Sequence, residues 1–264
     1  MGGVFPYVAQ AGDRLSLLGS RFGVSSSILA RENHLDRTVP LRAGDQIWID
    51  NLHIVPEWRE DGIVINLPQR MLFFFRQGEL AAAFPVGLGR PDWPTPAGDF
   101  KVVDMQTDKA WVVPPSIQEE MREEGKAVIT RVAPGPKNPL GRHWIGLSAY
   151  GYGIHGTISP ASVYGFLSHG CIRALPDDIE ALSKSAQVGT EVVSSYRTTL
   201  LAETRDGRVF LEVHPDIYKR GIDPLEEIQS LAQSNRLSGR INWQRAFEVA
   251  QRQDGLATDV TLVR

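Results

Sequence analysis

Two short segments hold residue types from which a nucleophilic acyl-transfer site can be built. They are Ile154-His155-Gly156-Thr157 and Ser168-His169-Gly170-Cys171-Ile172-Arg173. A thiol attacks carbonyl carbon as its thiolate, and a neighbouring imidazole can take its proton. His155 and Cys171 lie sixteen residues apart, so the chain must fold back to bring them together. Gly156 and Gly170 stand beside them and let backbone approach backbone closely. The amides of Gly170 and Cys171 are then placed to make an oxyanion hole, and Arg173 to hold an anionic substrate group or clamp the loop. His169 reads as a supporting residue that fixes the loop or contacts substrate. Plainer readings exist. A lone cysteine is often a small buried core residue, and either histidine could be a satisfied core side chain. His155, His169 and Cys171 could ligate zinc, although their spacing matches no common structural zinc pattern and no fourth ligand is evident.

The surrounding sequence must supply a scaffold for these residues. From Gly62 onward short apolar runs alternate with polar turns: Ile63-Val64-Ile65, Met71 to Phe75, Leu80 to Phe84, Trp144 to Leu147 and Val192-Val193. Runs of this length, bounded by glycine, proline and asparagine, predict strands. Many short strands and few long helical periods predict a mainly β sandwich. Pro134 to Pro139 forms a longer loop, and Trp111, Trp144 and Tyr152 are candidates to line a cleft.

Before this region, Tyr7 to Gln10 predicts a strand, Gly12-Asp13 a turn with a helix cap, and Leu15, Leu18 and Phe22 one face of a helix. Gly23 ends that helix. Ser25 to Ser27 cap a second one bearing Ile28 and Leu29, and Gln46 to Ile49 closes as a strand. Residues 51–60 read as a linker. After Tyr196 the pattern predicts a strand over Arg208–Val213. A helix starts at Asp223-Pro224 with Glu226 three after the cap, and a last helix capped by Asn242 carries Trp243, Phe247 and Ala250 and ends at Gly255.

A length of 264 residues suits one mid-sized domain with small modules. The net charge of −3 argues against a nucleic-acid partner, and no apolar run is long enough to span a membrane as a helix. Cys171 is the only cysteine, which excludes an intrachain disulfide. Met1-Gly2-Gly3-Val4 lacks the basic and apolar regions of a secretory signal. Taken alone that suggests a cytosolic protein, or a chain beginning at a mature boundary.

The order strand–GD–helix–RFGV–helix–Asn–LxxGD–strand over residues 6–50 resembles the LysM module, with Arg14 and Asp50 departing from its usual pattern. HGT followed by SHGCIR is the signature of the YkuD-type L,D-transpeptidases. The resemblance over 61–195 takes in Gly62-Ile63-Val64-Ile65-Asn66, Val86-Gly87-Leu88-Gly89, Thr95-Pro96-Ala97-Gly98-Asp99-Phe100, Asn138-Pro139-Leu140-Gly141 and Val188-Gly189-Thr190-Glu191-Val192. Ala174 stands where family members usually have a larger apolar residue. With the LysM-like module in front and Leu211-Glu212-Val213-His214-Pro215 behind, the chain is most similar to the Gram-negative periplasmic branch.

That resemblance implies a YkuD-like β-sandwich catalytic domain at 61–195. It also implies a βααβ glycan-binding module at 6–50, with a mixed α/β extension at 196–264. It implies Cys171 as nucleophile, His155 as base oriented by the carbonyl of Gly156, and His169 and Gly170 completing the catalytic site. Arg173, Ser168 and Tyr152 are then expected to bind substrate. The implied partners are peptidoglycan stem peptides and glycan strands, with an outer-membrane lipoprotein or another wall-anchored protein as a possible acceptor. Neither metal nor organic cofactor is implied, and the implied location is the periplasm, with an export signal removed. Two other functions fit the same residues: hydrolysis of the same bond class by a carboxypeptidase or amidase, and non-catalytic peptidoglycan binding.

Overall fold

The computed structural model describes residues 1–263 and divides into two compact units. One comprises Met1–Trp58, Asn66–Gln69 and Ser195–Arg264; the other comprises Arg59–Ile65 and Arg70–Ser194.

The first unit opens with a βααβ module. Strand β1 (Val4–Val8) pairs antiparallel with β2 (Gln46–Asp50), and helices α1 (Leu15–Phe22) and α2 (Ser26–Glu32) lie between them in sequence. Leu15, Leu18, Ile28, Leu29, Ile47 and Ile49 form its core. Gly23 ends α1 in the left-handed region at φ 70°, and the Ser25 hydroxyl caps α2 by accepting from Ser27 N–H. Asp13 does not cap α1 as its position suggested. Its carboxylate instead accepts from Gln10 N–H and Tyr7 O–H, closing the preceding turn, and Arg14 takes the N-cap without a side-chain bond.

The second unit is built on a nine-stranded sheet. Its members are β3 (Gly62–Asn66), β4 (Met71–Arg76), β5 (Glu79–Gly89), β6 (Gly98–Thr107), β9 (His143–Leu147), β10 (Gly153–His155), β11 (Phe166–Ser168), β12 (Ile172–Ala174) and β13 (Glu191–Ser195). The spatial order is β11-β5-β12-β10-β9-β6-β13-β3-β4, and β4 also pairs with β5. The two layers expected of a sandwich therefore come from one sheet that returns on itself through the eleven-residue β5. All five residues of β3 and the first five of β4 are buried. That is why they read as continuous apolar runs and not as alternating ones. A small two-stranded pair, β7 (Trp111–Val112) with β8 (Arg131–Val132), brackets helix α3 (Pro115–Glu123). Helix α4 (Pro176–Ser185) follows β12, with Pro176 at its first turn and Asp177 and Asp178 at its positive end. Neither α3 nor α4 is foreseen from sequence.

The C-terminal residues return to the first unit. Strands β14 (Thr199–Glu203), β15 (Val209–Val213) and β16 (Thr258–Asp259) make a three-stranded sheet against α5 (Pro224–Ser234) and α6 (Trp243–Arg252). Asp223 caps α5 through Leu225 and Glu226 N–H, and Asn242 caps α6 through Arg245 N–H, as their positions predict. The apolar face of α6 is Ala246, Val249 and Ala250. Trp243 and Phe247 lie outward, 41% and 46% exposed. Gln253, not Gly255, takes the left-handed position that ends α6. Gly255 is needed elsewhere: at φ 77°, a side chain there would meet the His214 ring at 2.6 Å.

Candidate active site

The two chemical segments meet because β10 and β12 pair in parallel, with Ile154 opposite Ile172 and His155 opposite Arg173. Side chains opposite one another across a parallel pair share a face, and alternate residues along each strand return to it. His155 and Arg173 therefore project from one face, and Cys171 stands two residues before Arg173, immediately ahead of β12. Ile154 and Ile172 take the other face, where they are buried in the core.

His155 is 4% exposed. Its Nδ1 donates to the carbonyl of Gly156 at 2.6 Å, which leaves Nε2 as the basic atom of the neutral ring. The ring stacks on Trp144 from β9, with centroids 5.9 Å apart and planes 19° apart. Burial pulls its pKa down to about 4, and Arg173 adds to the effect; the carbonyls of Gly156 and Leu140 oppose it. Cys171 is the free thiol of the chain and is partly exposed. Burial pushes its pKa up, while a hydrogen bond from Gly153 and the charge of Arg173 pull it down. Its Sγ lies 3.6 Å from the carbonyl oxygen of Gly151, which accepts the thiol proton. Arg173 is half-buried, and its guanidinium makes no hydrogen bond or ion pair among the described residues.

The loop before Cys171 is fixed by its own polar groups. The Ser168 hydroxyl is buried, donates to the Cys171 carbonyl at 2.5 Å and accepts from Gly170 N–H at 3.2 Å. Ser168 is thus engaged within the loop, and so is the Gly170 amide. Thr95, also buried, donates to the Gly170 carbonyl and accepts from Gly89 N–H, both at 2.9 Å. Gly170 has φ 98°, and a Cβ there would lie 2.6 Å from the Tyr152 ring. Tyr152 is therefore the wall against which the loop is packed.

His169 is bonded by a side chain from outside its loop. Its Nε2 pairs with a carboxylate oxygen of Glu120 on α3, and the other Glu120 oxygen accepts from Arg90. The His169 ring meets Trp93 edge-on at 5.2 Å. Sequence reasoning missed Glu120, Arg90, Trp93 and Thr95 as site residues. Thr95 lay inside a recognised motif, whereas Glu120 sits in a polar run with no distinguishing pattern.

With this geometry in place, comparison with known proteins assigns the class. Residues 60–193 match the L,D-transpeptidase catalytic domain of the YkuD family, and residues 7–50 match the LysM domain. The chain belongs to the YkuD L,D-transpeptidase family and is an enzyme of that class with an N-terminal LysM domain. A Salmonella typhimurium protein named "Probable L,D-transpeptidase ErfK/SrfK" is 26% identical over 95% of this chain and 83% of its own length. The Escherichia coli "Probable L,D-transpeptidase YcfS" is 29% identical over 82% and 69%. A solved L,D-transpeptidase from Mycobacterium smegmatis aligns over 50% of this chain and 57% of that one, with 21% identity and a TM-score of 0.42. The chain thus spans little more than half of that solved protein. No helix among the described residues is long and apolar enough to cross a membrane.

Proposed function

We propose that this protein is a cysteine L,D-transpeptidase of the Gram-negative periplasm, acting on peptidoglycan stem peptides while its LysM domain holds the glycan strand. The observation that supports this reading is the parallel β10–β12 pairing, which sets His155 opposite Arg173, two residues after Cys171. Family membership and the N-terminal LysM domain support the substrate class.

In this reading the Cys171 thiol gives its proton to His155 Nε2 as sulfur attacks the carbonyl of the third stem residue. The Cys171 amide faces the developing oxyanion, and Arg173 favours thiolate over thiol through its unpaired charge. Collapse breaks the C–N bond, and the departing D-alanine amine takes the proton from His155. The resulting thioester is then attacked by an amine, which gives a proton to His155, and His155 passes it to sulfur as the C–S bond breaks and the new amide forms. An amine on a second stem gives a cross-link; one on an outer-membrane lipoprotein or other wall-anchored protein gives attachment.

Intact-protein mass spectrometry with purified disaccharide-tetrapeptide tests the reading. A thioester adduct with loss of D-alanine is expected, resolved faster when an amine is added. Cys171→Ala should form no adduct, and His155→Gln should slow its formation by about 10²–10⁴-fold. Resolution by water alone would make the protein a carboxypeptidase. No adduct on folded, reduced protein would leave binding as its role.

A further inference from the structure

Nothing above uses Glu120. It sits on α3, a nine-residue helix with no buried residue, so apolar packing, limited to the half-buried Ile117 and Met121, holds this helix only weakly. Its carboxylate reaches the nucleophile's loop instead, bonding His169 through one oxygen and Arg90 through the other. The Arg90 N–H in turn donates to the Ser168 carbonyl at 3.0 Å, and its guanidinium lies over Trp93 at 6.0 Å. Asp92 is a second anion on Arg90, at 2.9 Å, and Lys126 is the other cation acting on Glu120. The His169 and Glu120 side chains are 23% and 25% exposed, so the pair is partly shielded yet open to a ligand.

A carboxylate only accepts, so the His169 nitrogen facing it carries the proton. That fixes the Nε2–H tautomer and leaves Nδ1 with a lone pair. Among the described residues Nδ1 has no hydrogen-bond partner, and it belongs to a residue two positions from Cys171. A carboxylate behind an imidazole holds the ring and stabilises the imidazolium when it forms.

The reaction proposed above contains a proton that His155 does not account for. An amine acceptor in water at neutral pH arrives as an ammonium. It must lose one proton before it can attack, and a second once it is bonded to carbon. His155 is 4% exposed and handles the second. We propose that Glu120 is a positioning residue that holds His169 in the Nε2–H tautomer, so that Nδ1 takes the proton the incoming ammonium must shed. The ammonium becomes an amine, His169 becomes an imidazolium paired with Glu120, and that proton later leaves to solvent.

This role rests on the transpeptidase reading, so the experiment separates the two half-reactions. Thioester is formed on the full chain with disaccharide-tetrapeptide, an amine acceptor is added, and the adduct is followed by quenched-flow mass spectrometry. Glu120→Ala should form thioester at a rate near that of wild type and resolve it on the order of 10- to 100-fold more slowly with an alkyl ammonium acceptor. The defect should shrink as pH rises toward the acceptor's own pKa, and Glu120→Asp should restore part of the rate. Hydroxylamine, largely unprotonated at neutral pH, should resolve both proteins alike. Equal slowing of both half-reactions, or an equal defect with hydroxylamine, would show that Glu120 only seats α3 and overturns the role. A wild-type protein that forms no thioester overturns the transpeptidase reading, and this role with it.

Discussion

At the scale of single residues, the balance between thiol and thiolate depends on one charge. Arg173 lowers the pKa of both Cys171 and His155 while burial moves them apart, the thiol up and the imidazole to about 4. Replacing Arg173 with Gln removes the cation and leaves the strands in register. The thiol pKa should then rise, and the thiolate population at neutral pH should fall. The rate of iodoacetamide alkylation against pH, read by intact mass, measures this directly, and an unchanged profile would refute the assignment. Cys171, His155 and Arg173 were legible in the sequence because their types and glycine neighbours stand in a contiguous pattern. The environment of His169 was not. Its partner Glu120 lies 49 residues away in a segment without periodicity, and only the fold brings them together.

At the scale of elements, the loop before Cys171 is held by conformation as much as by bonding. Gly170 combines φ 98° with a Tyr152 ring atom where a methyl group would sit. Gly170→Ala should therefore cost about 1–3 kcal/mol from backbone strain, with a steric part added. Tyr152→Ala removes only the steric part, so the double variant should be less destabilised than the sum of the singles. Urea unfolding of the four proteins decides: strict additivity would mean that the ring is not what confines the loop. Helix caps at Ser25, Asp223 and Asn242 were readable because each satisfies a local need for an acceptor. Asp13 and Gly255 misled because tertiary neighbours, Tyr7 and His214, set their roles. Helix α4 had its proline and acidic first turn in plain view, but sits in a region whose strands dominate the pattern.

At the scale of the molecule, the two units carry buried titrating groups that weaken them in different pH windows. In the first unit, Glu212 of β15 is fully buried. One oxygen accepts from His53 at 2.9 Å, His214 at 2.9 Å and Gln69 at 3.0 Å, and the other from Ile54 N–H at 2.7 Å. Four donors match the roughly four lone-pair sites of an ionised carboxylate. His53 also bonds the Gly23 carbonyl through Nε2 at 2.9 Å. Burial alone would raise the Glu212 pKa, but His53 and His214 outweigh it and bring the group to about 2.

A carboxylate depressed from 4.5 to about 2 contributes stability that is complete above the unfolded value. That contribution, on the order of 3 kcal/mol, is lost as pH falls through 4.5 toward about 2. His155 acts on the second unit in a different window. Its unfolded form protonates near 6.5, whereas the folded form resists until about 4, so the penalty accumulates as pH falls between those values. The second unit should therefore weaken first on acidification, and the first unit only below about pH 4.5. Pulse proteolysis in urea, with the cut sites mapped by mass, follows each unit in the intact chain. Glu212→Gln should destabilise the first unit by about 3–5 kcal/mol at pH 7, because it leaves buried donors facing an uncharged amide. Its gap from wild type should close as pH approaches about 2. A gap that stays constant from pH 7 down to that limit would mean that the Glu212 charge is not what His53 and His214 are holding.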